Sequence, residues 1–470
     1  MRDRCAIPEG VHGPLERLAR RFTELAERWI PDAFVFALLA TVLVFVSGLA
    51  IGAGPFELTK AWGDGFWELL SFTMQMALVI VTGHVLATAG PVHRLIAWLA
   101  GRARSPRGAV ALVAAFAMLS SWFNWGFSLV FSAVLAREIA RQTRGVDYRA
   151  LAAASLLGLG SVWAQGLSGS AALQMATPTA LSPKIRAIVA GGELVPGGVI
   201  GFDHTIFLWQ SFVSVAVELV VVTALMWLAA PQGERAKDAQ ALGIDLTDTA
   251  EADLPPPRTP GERLEHSSLL LLAVVAVGVV YLARLRGLGA LSLNTINLAF
   301  LLAGAVLHRT PARLMRAVRE ATPATWGVIL QFPFYAGISG MIASTGLNER
   351  IAHVFVSVSS PRTFPALMAA YSALLGVFVP SGGGKWIIEA PYVMSAAHDL
   401  NVHLGWVVAC YDLGEALANL VQPFWMLPVL GLLGLKAKDV MGFTFLVFLV
   451  LVPVVLVMVT LLGATLPYPL

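Results

Sequence analysis

Cysteine is nearly missing from this chain: 470 residues hold two, Cys5 in the polar N-terminal arm and Cys410 inside an apolar segment. That leaves no disulfide framework and no thiolate metal site, so redox chemistry has no side chains to use. Charge is scarce too. Only 13% of residues are Asp, Glu, Lys or Arg, while 57% are hydrophobic, a balance foreign to soluble domains. The formal net charge of +3 is spread along the chain, and no basic face offers itself to nucleic acid. Neither GxSxG nor HExxH occurs, so an intramembrane enzyme, for which Ser, His and Glu in apolar segments would supply groups, has no motif behind it.

What the chain does have is apolar length. Runs of roughly 18 or more apolar residues, each enough to cross about 30 Å of hydrocarbon as helix, cover 31–53, 73–92, 205–229, 267–283, 324–344 and 440–463, with a shorter one at 293–307. Two more stretches, 150–180 and 404–430, are apolar but broken by Gly, Pro and polar residues. The expected fold class is an all-α polytopic membrane protein. Its first run follows six arginines, is too long for a signal peptide and lacks a small-residue cleavage site, so it is expected to stay in place.

Basic residues mark the cytoplasmic side. With the N-terminus inside, the clusters Arg94, Arg102, Arg104, Arg107 and Arg137, Arg141, Arg144, Arg149 both fall inside, and the apolar stretch between them must enter and return. Its middle reads SSWFNWGFS (120–128), small and polar as the tip of a re-entrant hairpin requires. Arms of roughly 12 to 16 residues favour that hairpin over two full spans. The resulting organisation is a cytoplasmic amphipathic arm (1–30), a first transmembrane repeat (31–230), a cytoplasmic linker (231–266) expected to be mobile, a connecting transmembrane helix (267–292) and a second repeat (293–470).

Residues 75–107 can be laid on 331–362, sharing Gln75/Gln331, Gly90/Gly346, Arg94/Arg350 and the tripeptide SPR. Each copy precedes an apolar run, a Gly/Ser-rich interruption and a second apolar arm. An odd number of crossings separates them, so the second copy is expected to be inverted, each with a re-entrant hairpin and a broken helix, as in secondary transporters.

Polarity inside the apolar regions concentrates at four interruptions. The first hairpin offers Ser120, Ser121, Asn124 and Ser128; the break after it offers Gln165, Ser168, Gly169 and Ser170. The second hairpin tip is PSGGGK (380–385), with Ser381, Gly382, Gly383, Gly384 and Lys385; the second break offers Asp412, Glu415, Asn419 and Gln422 before Pro423. Glycine permits a tight turn and close approach, and a helix starting there presents free N–H groups to a carboxylate. Ser, Asn and Gln oxygens with unwound carbonyls suit a small cation.

The expected substrate-binding set is Ser121, Asn124, Ser128, Ser381 to Lys385, Asn419 and Gln422. Coupling-ion candidates are Asn124, Gln165, Ser168, Ser170, Glu389, Glu415 and Asn419. Plainer readings stand beside these. Individual Gly and Ser residues serve helix packing, Trp122, Trp125, Trp163 and Trp386 serve packing or interface anchoring, and His84 is a satisfied buried histidine. Asp412 is as well suited to a solvated position as to a site, and Glu218 is assigned no role. Lys385 and Glu389, four apart, fit a structural ion pair.

FVPSGGGKW (378–386) and NLVQPFWMLP (419–428) are the most specific pieces of a resemblance, along essentially the whole chain, to the bacterial short-chain fatty acid transporter family (AtoE-like) of the ion transporter superfamily. The resemblance implies uptake of monocarboxylates such as acetoacetate or butyrate across the inner membrane, driven by Na+ or H+, with no other cofactor. It also implies a homodimer whose hairpin-bearing part moves against a scaffold. The family pattern has glutamine at the positions of Lys385 and Glu389 and threonine at Ala418, so the ammonium here either stands in for a bound cation or serves as the substrate's counter-ion. A C4-dicarboxylate carrier of the same superfamily is the runner-up, and a channel the alternative from another class.

Overall fold

A computed structural model describes residues 33–177, 198–246, 256–285, 293–346, 356–380 and 382–470, with a few positions between Arg17 and Arg28. Among these residues all regular structure is helical. The first series comprises α1 (Ala33–Ala50), α2 (Pro55–Gly65), α3 (Leu70–Thr88), α4 (Gly90–Ala100), α5 (Pro106–Phe123), α6 (Trp125–Gln142), α7 (Tyr148–Leu156), α8 (Ser170–Met175) and α9 (Trp209–Ala229). A short α10 (Pro260–Glu265) and the apolar α11 (Ser268–Arg284) connect it to the second. That second series is α12 (Leu293–His308), α13 (Pro311–Ala321), α14 (Trp326–Thr345), α15 (Phe364–Gly376), α16 (Gly382–Asp399), α17 (Leu404–Ala418), α18 (Leu427–Leu433) and α19 (Ala437–Gly463).

Local chemistry sets many of these boundaries. Pro55, Pro91, Pro106, Pro311 and Pro365 each occupy the first turn of a helix, where a missing N–H costs nothing. Ser105, Asn124, Asp147 and Thr310 cap helix starts through their side chains. Between α3 and α4, around Ala89, the axis turns by 85°. Four helical stretches are long and apolar enough to cross a membrane: 106–123, 209–229, 311–345 and 437–463. Leu39, Val42, Val220, Val277 and Leu461 stand exposed on α1, α9, α11 and α19, as lipid-facing side chains do.

The packing is reciprocal between the series. α1 and α2 lie on α14, while α12 and α13 lie on α3; α5 packs on α9 as α15 packs on α19; α6 touches α18 as α16 touches α8. The pairs α3/α14 and α9/α19 join like to like. One group of helices therefore interlaces α1 to α3 with α12 to α14, and another gathers the hairpins, the broken helices, α9 and α19.

Two expectations change. The arms of the first hairpin, α5 and α6, have 18 residues each, about 27 Å of helix, so they exceed the expected 12 to 16. Apolarity stops at the arginines, but the helices run on: Ser105 caps one end, and Glu138 takes hydrogen bonds from Arg141 and Gln142 at the other. Arm length therefore no longer separates a re-entrant hairpin from two spans. The linker is the second change, because residues 231–246 of it are docked rather than loose. The Lys237 N–H donates to Asp147 Oδ2 (3.1 Å), the Tyr148 N–H donates to the Lys237 carbonyl (2.9 Å), Arg137 reaches the Asp245 carbonyl (3.1 Å), and Ala239 is buried. Residues 247–255 of that linker lie outside the described residues.

Candidate binding site

Chain reversal at Asn124 builds the first tip. Asn124 Oδ1 accepts the Phe127 N–H (2.9 Å) as the N-cap of α6, and Ser128 Oγ donates across to the Ala117 carbonyl (2.7 Å), pinning one arm to the other. The tip is docked on the first break: Ser168 Oγ accepts the Trp125 N–H (3.1 Å), and the Leu167 N–H donates to the Trp122 carbonyl (2.8 Å). Ser121 is fully buried, and its hydroxyl has no partner among the described residues.

At the second break, Asn419 Nδ2 donates to the Leu159 carbonyl (3.1 Å) of the first break, Gln422 Nε2 donates to Asn419 Oδ1 (3.2 Å), and Gln422 Oε1 accepts the Phe424 N–H (2.8 Å). Trp425 meets Trp125 edge to face, with ring centroids 5.1 Å apart. The two breaks and the first tip are thus one hydrogen-bonded and aromatic cluster.

The second tip enters the same cluster from the other side. Gly382 and Gly383 open α16 against Ser170 at the start of α8: a Cβ on Gly382 would lie 3.5 Å from Ser170 Cβ and 3.2 Å from Glu415 Cγ, and Gln174 Nε2 donates to the Gly383 carbonyl (3.0 Å). Gly384 lies in the same first turn, and Ser381 lies outside the described residues.

Lys385 is buried, and its partner is Glu415 on α17, not Glu389 one turn along its own helix. Its ammonium also donates to the Ser372 carbonyl (3.0 Å), lies 3.4 Å from Ser372 Oγ, and sits 5.5 Å from the Tyr411 ring centroid. Glu389 takes the Tyr411 hydroxyl instead. The plainer reading of a Lys385–Glu389 ion pair therefore gives way to a pair between helices, because the long lysine side chain reaches the facing helix while a tyrosine satisfies the carboxyl.

Asp412 is fully buried, which removes its solvated reading; its Oδ2 accepts the N–H groups of Ala171 (2.9 Å) and Ala172 (3.4 Å) at the start of α8. One oxygen each of Asp412 and Glu415, Oδ1 and Oε1, has no partner among the described residues. Packing leaves no slack here. A Cβ on Gly376 would come within 2.7 Å of both Ala418 Cβ and Glu415 Oε2, and 3.2 Å of Lys385 Nζ.

Of the expected residues, Ser170, Gly382, Gly383, Lys385, Glu415 and Glu389 gather at this junction; Asn124, Ser128, Ser168, Asn419 and Gln422 hold the breaks and the first tip together. Gln165 turns elsewhere, to Glu218 of α9 (2.6 Å). Sequence reasoning missed Ser372, Gly376, Gln174 and Tyr411. Asp412 and Glu415, three apart, could have been read as one acidic face of a helix. Two open apolar grooves, about 550 and 610 Å³, lie on the flanks against Trp326 and Trp227, away from the junction.

The profile of the family described as "Short chain fatty acid transporter" matches residues 14–462. A protein of Escherichia coli provisionally named as a short-chain fatty acid transporter is 40% identical over 436 residues, covering 91% of this chain and 95% of that one. A Haemophilus influenzae protein with the same provisional name is 35% identical over 434 residues, 91% of this chain and 96% of its own. Among solved structures, the Alcanivorax borkumensis YdaH transporter (16% identity, TM-score 0.42, 92% of this chain and 98% of that chain) is similar at a level too low to argue from. The same holds for Neisseria gonorrhoeae MtrF (14% identity, TM-score 0.42, 96% and 99%). With a family match over nearly its whole length and two relatives above one-third identity, the chain is a multi-pass membrane transport protein that belongs to the short-chain fatty acid transporter family.

Proposed function

We propose that this protein takes up short-chain carboxylates, acetoacetate and butyrate among them, by cation-coupled symport across the bacterial inner membrane, with its N-terminus in the cytoplasm. The observation that carries the coupling is charge balance where α8, α16 and α17 meet: among the described residues, the carboxyls of Glu389, Asp412 and Glu415 face one ammonium, that of Lys385. Buried carboxylates in excess of cations call for a proton or another positive charge. Lys385 serves there as a tethered cation, since Glu415 and the two Ser372 oxygens already engage it and these are the ligand types Na+ uses. The substrate carboxylate is read at the first-turn N–H groups of α16, Gly382 to Lys385, with Ser381. Glu415, resting against Gly382, would have to yield that place. Ser121, Asn124, Ser128, Asn419 and Gln422 form the opposing wall. Alternating access follows if the halves are inverted, the hairpins are re-entrant, and a homodimer supplies the fixed scaffold.

Proteoliposomes test this. Loaded with unlabelled butyrate and given labelled butyrate, they should show saturable exchange, and imposed Na+ or pH gradients should accelerate net uptake. Chemical conversion would indicate an enzyme, unsaturated flux a channel, and preference for succinate over butyrate, acetate and acetoacetate a dicarboxylate carrier.

A further inference from the structure

Glu218 sits midway along α9, a 21-residue apolar helix, and is fully buried. Its Oε1 accepts the Ser214 hydroxyl (3.1 Å) and lies 2.6 Å from the Gln165 amide, while its Oε2 and Gln165 Oε1 are both without partners among the described residues. Among the described residues the elements packed most extensively on α9 are α5, α19 and the short 3-10 turn Val162–Gln165. That turn carries no charge; α5 carries Arg107 and α19 carries Lys438 and Asp439, all in their first turns. Arg107 lies over the Trp227 ring, nine residues from Glu218, about 13 Å along the helix. Among the described residues no cation is placed to neutralise a carboxylate at Glu218, and ionising an unpaired buried carboxyl is costly.

The hydrogen-bond geometry agrees. A separation of 2.6 Å is short for N–H···O and ordinary for O–H···O, and amide oxygen and nitrogen are interchangeable by a half-turn of the group. Turning the Gln165 amide over places its oxygen opposite Glu218, where a carboxylic acid proton can be donated to it. We propose that Glu218 is a proton-binding site that reports to the first helix break through Gln165. In the protonated state the acid O–H donates to the Gln165 oxygen; when the proton leaves to water, the amide turns and its N–H donates to the carboxylate. Each state keeps one hydrogen bond between the two side chains, so proton binding and amide orientation are locked together. Gln165 is followed directly by Gly166, where a Cβ would lie 2.2 Å from the Trp122 carbonyl, so the turn bearing the amide is in contact with the hairpin tip. This deepens the proposed symport by placing a proton on a residue outside the junction at Lys385.

Infrared difference spectroscopy of the purified full-length protein tests the protonation without any transport measurement. At neutral pH the carboxylic acid carbonyl band of the wild type should lose one component in Glu218→Gln, and that component should shift to higher wavenumber in Gln165→Met. A spectrum in which Glu218→Gln removes only carboxylate bands overturns the proposal. If Glu218→Gln does not fold, an unshifted acid band in Gln165→Met overturns the link to the break. In proteoliposomes, stimulation of butyrate uptake by an inward proton gradient should disappear in Glu218→Gln; full stimulation in that variant overturns the coupling role. Failure of the wild type to exchange butyrate would count against the transport reading and leave the infrared result standing.

Discussion

Residues four apart on a helix invite a local pairing, yet Lys385 ignores Glu389 for Glu415 on another helix. Removing the ammonium leaves a buried carboxylate without its partner, so Lys385→Gln should destabilise the protein by about 3–5 kcal/mol, and adding Glu415→Gln should restore most of that. Thermal unfolding of both single variants and the double in detergent reads the coupling; additive losses would mean the two groups do not depend on each other. Gly376 gives a steric counterpart. Gly376→Ala forces a methyl against Ala418 and Glu415 and should cost about 1–3 kcal/mol. Gly63→Ala, in α2 with open space around it, should instead stabilise by about 0.5–1 kcal/mol. Equal effects at both positions would contradict the crowding. Lys385, Glu389 and Glu415 were legible in the sequence because ionisable groups in apolar runs announce themselves. Their pairing was not, since spacing along one helix carries no information about what faces it, and the burial of Asp412 depends on α8, which meets it only in the folded chain.

Helices were legible to within a few residues where a long apolar run filled them, as with 267–283 against α11 (Ser268–Arg284) and 440–463 against α19 (Ala437–Gly463), whereas the basic α13 (Pro311–Ala321) was not. The hairpin arms ran longer than their apolar composition because backbone hydrogen bonding continues past the arginines, with Ser105 capping the start of α5 and Glu138 pairing the polar side chains of Arg141 and Gln142 in the last turn of α6. Asn124 marks the one residue between α5 and α6. Asn124→Ala removes the cap on α6 and should cost about 0.5–2 kcal/mol, whereas Asn124→Ser should be nearly neutral, both measured by denaturation midpoint. An alanine variant as stable as the serine one would show that the tip is held by packing alone. Docking of residues 231–246 was illegible because a polar, Gly- and Pro-containing composition predicts looseness, while a few apolar side chains such as Ala239 and one waiting carboxylate were enough to fix it.

Across the whole molecule, the contacts of one series recur in the other among the described residues, which one weak alignment of the sequence hinted at. The ends of α4 and α6 meet, with Gln142 Nε2 donating to the Ala97 carbonyl (3.3 Å). Cysteines introduced at positions 102 and 144 should therefore react with an impermeant thiol reagent from the same side of the membrane, in a Cys5→Ser background where the buried Cys410 stays silent. Labelling from opposite sides would break the arrangement of the halves.

Asp147 does two jobs at once, capping α7 through the N–H groups of Arg149 and Ala150 and gripping the backbone of Lys237. The connector between the series is consequently moored to the body that holds the hairpins. Should that body travel, it tows its leash by the mooring, and only the chain past Leu246 has to reach. A fluorophore at position 240 would then ride with the moving part, and its distance to a second dye on α12 would clock the stroke.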